Sequence, residues 1–183
     1  FVIALVIYGL GFLVGGLGLI LIGVPPSWEE LLRLMAYLTL SIIYIAFWLA
    51  LSLLFSIIFR QTSTSALAGI AVWLFLAVFF GLLSGMVADG IYPVQDSNDT
   101  QQVLANHRLE QNLSRISPTT LYDEAVTTIM NPAVRTLGPV LLEQAFGALK
   151  GSLSLGQSLL LIWPHLVGLV AATLICFALA YIK

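Results

Sequence analysis

Long apolar stretches without a charged side chain alternate with polar segments along this chain of 183 residues. Each apolar stretch exceeds the roughly 20 residues that cross a bilayer as a helix. None shows the alternation typical of membrane strands, so the backbone hydrogen bonds must form within helices. The pattern predicts an all-α, polytopic membrane protein, a single domain over residues 1–183. Its four transmembrane helices are expected at about residues 2–23, 34–59, 66–88 and 158–182.

Signals at the helix ends support this division. Ser27 followed three residues later by Glu30 predicts a capping box, so that a helix begins beside Trp28. Glu29 and Glu30 then fall in the first turn, where carboxylates favour the helix dipole. We favour this solvated, capped turn over a paired-carboxylate site. Only Arg60 and the polar residues 61–65 separate the second and third spans, which predicts an antiparallel hairpin.

Glycine pairs with three residues between them occur in two of the spans. Such pairs let helix backbones approach closely in lipid. Gly11 and Gly15 in the first span fit this role, although the high frequency of glycine in spanning helices explains them equally well. Gly81 and Gly85 in the third span are interpreted as packing positions. Pro164 is expected to kink the last span or to mark its start.

Residues 89–150 form a polar insertion outside the predicted spans, with seven acidic and four basic side chains. Ser117 and Pro118 supply a cap and a first-turn proline for a helix of about residues 119–130. Asn131 and Pro132 end that helix. Residues 134–149 have the spacing of an amphipathic helix that lies at the membrane interface.

Composition excludes several classes of protein. The chain is 60% hydrophobic and 9% charged, whereas soluble domains are about half apolar and a quarter charged. Its net charge of −2 offers no basic surface, so nucleic acid is not expected as a partner. The one cysteine, Cys176, permits no disulfide within the chain. Because the sequence opens on Phe1 inside an apolar run, we interpret it as the carboxyl-terminal part of a longer protein, truncated at its amino terminus.

Catalytic signatures are missing from the sequence. We identify no catalytic, cofactor-binding or metal-binding residues, and no nucleotide-binding glycine loop. His165, near a predicted membrane boundary, is interpreted as a hydrogen-bonded structural residue rather than a proton carrier. His107 is expected to be solvated. No acidic residue or lysine lies within the predicted spans, so an ion-driven pump is disfavoured and the energy for any transport is expected from another polypeptide.

Two segments resemble the membrane subunit of type-2 ABC transporters, the ABC-2 family. Residues 38–80 read LTLSIIYIAFWLALSLLFSIIFRQTSTSALAGIAVWLFLAVFF: a serine-bearing apolar helix that ends in Phe-Arg, a Ser/Thr turn and another apolar helix. Residues 115–125, RISPTTLYDEA, are similar to a stretch in the subfamily connected with nitrous-oxide-reductase maturation and gliding motility. The resemblance implies a six-span permease, of which this chain holds the third to sixth spans. Arg60 and Lys183 then face the cytoplasm, and residues 89–150 become an extracytoplasmic loop with short helices.

The resemblance also implies a function. The chain would be a permease subunit of an ABC exporter in the cell membrane of a bacterium or archaeon, embedded in the lipid bilayer. Its partners would be a second permease chain and a separate ABC ATPase, so that the chain itself is not an enzyme and needs no cofactor. The alternative is a membrane anchor or assembly factor that binds a partner through residues 89–150. Hydroxyl side chains in the spans can line a path or bond back to their own helix, and we favour the local bonds. They include Thr39, Ser41, Ser52, Ser56 and Ser84.

Overall fold

A computed structural model describes residues 2–23, 26–93, 100–134, 137 and 153–182 of the chain. All regular elements among these residues are helices, which confirms the predicted all-α class. The amphipathic helix expected at 134–149 lies outside the described residues, apart from residues 134 and 137.

Seven α-helices and one π-helical turn make up the described structure. They are α1 (Val2–Leu21), α2 (Trp28–Ile58), α3 (Thr62–Leu74), the π turn (Phe75–Phe79), α4 (Phe80–Ile91), α5 (Thr100–Ser114), α6 (Pro118–Met130) and α7 (Leu155–Ile182). From α3 to α4 the chain is one continuous helix, Thr62–Ile91, called here the long third helix.

Three helices are long and apolar enough to cross a membrane: α2, the long third helix and α7. α1 adds a shorter apolar stretch, Leu5–Gly18. Pro164 lies well inside α7 without ending it, as expected for a proline whose freed backbone groups find other partners in a membrane helix.

Local signals account for several helix ends. The hydroxyl of Ser27 accepts the Glu30 N–H at 3.3 Å, and the Glu30 carboxylate accepts the Ser27 N–H at 2.6 Å, which confirms the capping box. α6 begins at Pro118 and ends before Asn131, also as predicted, but Ser117 at its N-cap position makes no side-chain capping hydrogen bond. The polar helix α5 was not predicted, because its sequence has no apolar periodicity.

The core lies where α2, α6 and α7 meet. Near the beginning of α2 and α7 the buried cluster contains Leu40, Ala125, Ile129, Ile162 and Leu169. Further along the same two helices a second cluster joins Phe47 and Ala50 to Cys176. α2 and α7 therefore run side by side in the same direction. Because lipid tails are as apolar as these side chains, close packing and polar contacts must hold such helices together.

Glycines permit close approach at two places, and of the two predicted pairs only Gly85 is among them. A Cβ on Gly168 of α7 would lie 3.2 Å from Leu121 Cδ1 of α6, and one on Gly85 would lie 3.4 Å from Glu110 Oε1 of α5. Gly11 and Gly15 have no atom within 4 Å of their Cβ positions among the described residues. The packing alternative for Gly11 and Gly15 therefore has no contact to support it in the described structure. The packing role predicted for Gly81 has none either, since no atom lies within 4 Å of its Cβ position.

The helices α5 and α6 form a hairpin that folds back along the long helices instead of extending beyond their ends. The Asn106 amide of α5 donates to Asp89 Oδ1 at 2.8 Å and to the Tyr92 carbonyl at 2.9 Å, both near the end of α4. At the hairpin turn, the Ser117 hydroxyl donates to the Leu76 carbonyl at 2.9 Å. Leu76 lies in the π turn, halfway along the long third helix. The tip of the hairpin is therefore level with the middle of that helix.

Candidate functional site

Four polar side chains from α5, α6, α7 and the turn meet beside the hairpin, and we call them the Glu124 cluster: Gln111, Arg115, Glu124 and His165. The Glu124 carboxylate accepts from Gln111 Nε2 at 2.8 Å through one oxygen. Through the other it accepts from Arg115 Nε at 2.8 Å and from His165 Nε2 at 2.6 Å. The single carboxylate thus joins both arms of the hairpin to α7.

The register between α6 and α7 brings this cluster together. The two helices run antiparallel, with Leu121 opposite Gly168. One helical turn further along α6 and one turn back along α7, the same pairing places Glu124 opposite His165. The missing side chain of Gly168 lets the helices approach closely enough for a direct hydrogen bond.

The electrostatics of Glu124 favour a charged carboxylate. Burial raises the pKa of Glu124, but the hydrogen bonds from His165, Arg115 and Gln111 and the charge of Arg115 outweigh it, so the pKa lies below its ordinary value. An ionised carboxylate only accepts hydrogen bonds, so the shared proton lies on His165 Nε2. His165 Nδ1 is buried and has no hydrogen-bond partner among the described residues.

A second polar junction surrounds Arg33, which is buried near the beginning of α2. Its guanidinium donates to the Ile129 carbonyl at 2.8 Å and to the Leu153 carbonyl at 2.5 Å. It also donates to Ser158 Oγ at 3.3 Å and to Glu29 Oε1 at 2.8 Å. The last carbonyls of a helix lack intrahelical partners, so Arg33 caps the end of α6 and ties it to the beginnings of α2 and α7.

Hydroxyl side chains form a third contact between α2 and α6. Ser41 Oγ donates to the Tyr37 carbonyl at 2.9 Å and lies 2.9 Å from the Tyr122 hydroxyl, which therefore donates to it. The Tyr122 ring stacks on Tyr44 with centroids 4.2 Å apart. The favoured local bonds to a carbonyl four residues earlier are confirmed for Thr39, Ser41, Ser52 and Ser84.

The histidines singled out in the sequence lie apart. His165 is a buried, hydrogen-bonded residue as expected, whereas His107 is largely exposed and lies 3.3 Å from Glu110. Within the described ranges, no group of three or more His, Cys, Asp or Glu is placed to hold a metal ion. Sequence reasoning missed the roles of Arg33, Arg115 and Glu124, since it placed residues 89–150 apart from the spans.

The Glu124 cluster places an acidic residue beside a predicted span. The spans themselves contain no acidic residue or lysine, but the hairpin brings Glu124 of the polar insertion alongside α7. The carboxylate is fully engaged by a guanidinium, an amide and an imidazole. Such a paired, hydrogen-bonded arrangement stabilises the packing of the helices and holds the charged Glu124 carboxylate in one position.

Comparison with known protein families identifies the chain. The family model described as ABC-2 family transporter protein matches residues 1–183. The chain therefore belongs to the ABC-2 transporter family of membrane proteins, and the resemblance is confirmed at the level of the family. Comparisons with curated proteins and with solved structures gave no significant match.

Proposed function

We propose that this chain is the permease subunit of an ABC exporter and that a separate ATPase subunit drives it. The main observation that supports this proposal is the family match over residues 1–183. Three helices long and apolar enough to cross a membrane agree with it. A permease of this family works with an ATPase, so ATP hydrolysis belongs to a partner. The proposed location is the cell membrane of a bacterium or archaeon, and the proposed assembly pairs two permease chains with two ATPase subunits.

The geometry supports a permease whose interior is organised by polar contacts. The hairpin reaches the middle of the long third helix, where Ser117 binds it, and about two turns further along α6 Glu124 binds α7. Arg33 fastens its outer end. Because each contact joins a different long helix to the hairpin, a rearrangement of the long helices must move the hairpin or break these bonds. We propose that the hairpin forms part of the wall of the substrate path, and that residues 89–150 enter from the extracytoplasmic side, where the third span ends and the last span begins.

The subfamily is proposed from local sequence similarity alone. Residues 115–125 carry the resemblance to permeases connected with nitrous-oxide-reductase maturation and gliding motility. In the structure this segment forms the turn and the first part of α6, with Ser117, Tyr122 and Glu124 all making contacts to other helices. Packing contacts of the hairpin explain the sequence pattern of residues 115–125 without any contact with substrate.

Co-purification with an ATPase tests the proposal. The natural full-length protein, tagged and expressed with its genomic neighbours, is purified in mild detergent, and bound subunits are identified by mass spectrometry. We expect an ABC ATPase in equal amount and ATP hydrolysis after reconstitution into vesicles, lost when the phosphate-binding lysine of the ATPase is replaced. Purification without an ATPase, together with no ATP-dependent transport, would refute the proposal. Recovery of only an extracytoplasmic partner would instead support an anchor or assembly factor that binds through residues 89–150.

A further inference from the structure

An open groove of about 460 Å³ lies between the second half of α2 and the beginning of the long third helix. Its lining is mostly apolar and includes Trp48, Gly69, Ile70 and Trp73, with Ser65 and Thr62 towards the helix turn. Gly69 leaves this space open: a Cβ there would come no closer than 3.9 Å to the Phe55 ring. The groove is separate from the Glu124 cluster and from the hairpin.

The length of the groove fits one leaflet of a bilayer. Its lining along the long third helix runs from Thr62 to Trp73, which corresponds to about 16 Å at the helical rise per residue. Half of the roughly 30 Å hydrocarbon core is of the same length. The groove therefore begins at the polar turn and ends near the middle of a membrane that the helix spans.

The turn from which the groove starts carries a positive charge that no described carboxylate opposes. Arg60 precedes Thr62 by two residues, is exposed, and makes no ion pair with any residue in the described part of the chain. The described acidic side chains lie at the other end of the long helices or on the hairpin. These are Glu29, Glu30, Asp89, Glu110, Asp123 and Glu124. No described carboxylate therefore competes for Arg60.

We propose that this groove binds an acidic phospholipid of the bilayer, with one acyl chain between Trp48 and Trp73 and the headgroup phosphate paired with Arg60. An acyl chain fills an apolar groove of this length, and the phosphate supplies the negatively charged partner that Arg60 lacks among the described residues. The inference needs only that the helices lie in a membrane. It is independent of the ATPase partner, so its failure and that of the proposed function are distinguishable.

Tryptophan quenching by brominated lipids tests this site in the full chain. Trp28 and Trp163, both exposed and outside the groove, are replaced by phenylalanine so that only Trp48 and Trp73 report. The protein is reconstituted in phosphatidylcholine vesicles that contain equal fractions of either brominated phosphatidylglycerol or brominated phosphatidylcholine. We expect the acidic lipid to be preferred about five-fold, as one arginine near an acidic lipid provides.

Two pairs of matched variants separate the effect of the Arg60 charge from the effect of the open space beside Gly69. Arg60→Gln should abolish the preference, whereas Arg108→Gln, on the exposed side of α5, should retain it. Gly69→Leu should reduce quenching by both lipids because it fills the groove, whereas Gly81→Leu, in open space on the same long helix, should not. Equal quenching by both lipids in the parent protein would overturn the proposal. So would a preference that survives Arg60→Gln, or the absence of quenching because another helix or protein occupies the groove.

Discussion

Replacing Glu124 by glutamine probes the contact between the hairpin and α7. The amide keeps the size of the side chain but removes its charge and one of its two acceptor oxygens. The hydrogen bonds from Arg115 and His165 both end on Glu124 Oε2, so an amide NH₂ at that position cannot accept either of them. If the amide turns over, the bond from Gln111 is lost instead.

The expected loss follows from burial and bond type. Hydrogen bonds to a charged group contribute about 1.5–3 kcal/mol each, and removing one partner of a buried ion pair costs about 3–5 kcal/mol. The side chains of Glu124 and Arg115 are 17% and 26% exposed, so solvent screens part of this interaction. We therefore expect a loss of about 3 kcal/mol, which corresponds to a Tm lower by about 6–12 °C for a domain of this size.

The chain carries its own reporter for this measurement. Cys176 is the single cysteine and is buried in α7 against Phe47 and Ala50. A maleimide dye that fluoresces on reaction with a thiol therefore reports the loss of packing between α2 and α7 as detergent-solubilised protein is heated. Glu110→Gln is the matched control, because the exposed pair of Glu110 with His107 is expected to contribute at most about 1 kcal/mol. If both variants melt at the same temperature, the Glu124 cluster does not hold the hairpin to α7.

Three further predictions test the same arrangement. Arg33→Lys retains the charge but not the planar guanidinium that donates to four acceptors. The Tm should therefore fall by several degrees, and amide hydrogen exchange at the end of α6 should become faster. Unchanged exchange would contradict the capping role of Arg33. Ser117→Ala removes the hydrogen bond to Leu76 and should lower the free energy of unfolding by about 1 kcal/mol. Amide hydrogen exchange should become faster in the π turn alone. Exchange that rises evenly along the long third helix would argue against a local contact. Because the pKa of Glu124 lies below its ordinary 4.5, its contribution to stability is fully present above about pH 4.5 and is lost as the pH falls through the lower folded-state value. The Tm difference between the parent and Glu124→Gln should therefore shrink on acidification, and a difference that grows would reverse the assigned sign.

Local features of the fold were predictable because their causes are local. Ser27 and Glu30 are three residues apart, and their reciprocal hydrogen bonds need no other part of the chain. Pro118 and Asn131 similarly bound α6 through the backbone preferences of proline and the cap residues. The uncharged stretches indicated helices because lipid leaves few alternatives for the backbone.

The polar contacts could not be read from the sequence because they depend on register between distant segments. Glu124 and His165 are 41 residues apart, and their contact requires α6 to pack antiparallel on α7 at Gly168. Arg33 binds carbonyls at Ile129 and Leu153, which no spacing rule connects to it. One feature of the sequence did indicate that Glu124 is buried against another helix: it shares a helical face with Leu121 and Thr128.

The position of the hairpin tip at mid-depth of the membrane is tested most directly by electron paramagnetic resonance of spin labels. Ile116 lies in the hairpin turn with 64% of its surface exposed, and a label is attached there through Ile116→Cys in a Cys176→Ala background. Val78, in the π turn, and Thr100, at the first residue of α5, provide the reference labels.

In bilayers we expect the label at 116 to match that at 78, with high accessibility to oxygen and low accessibility to a water-soluble nickel complex. The label at 100 should show the opposite pattern. If the label at 116 is instead as accessible to nickel as the label at 100, the hairpin lies outside the membrane, and the proposed role of the hairpin in the wall of the path is wrong.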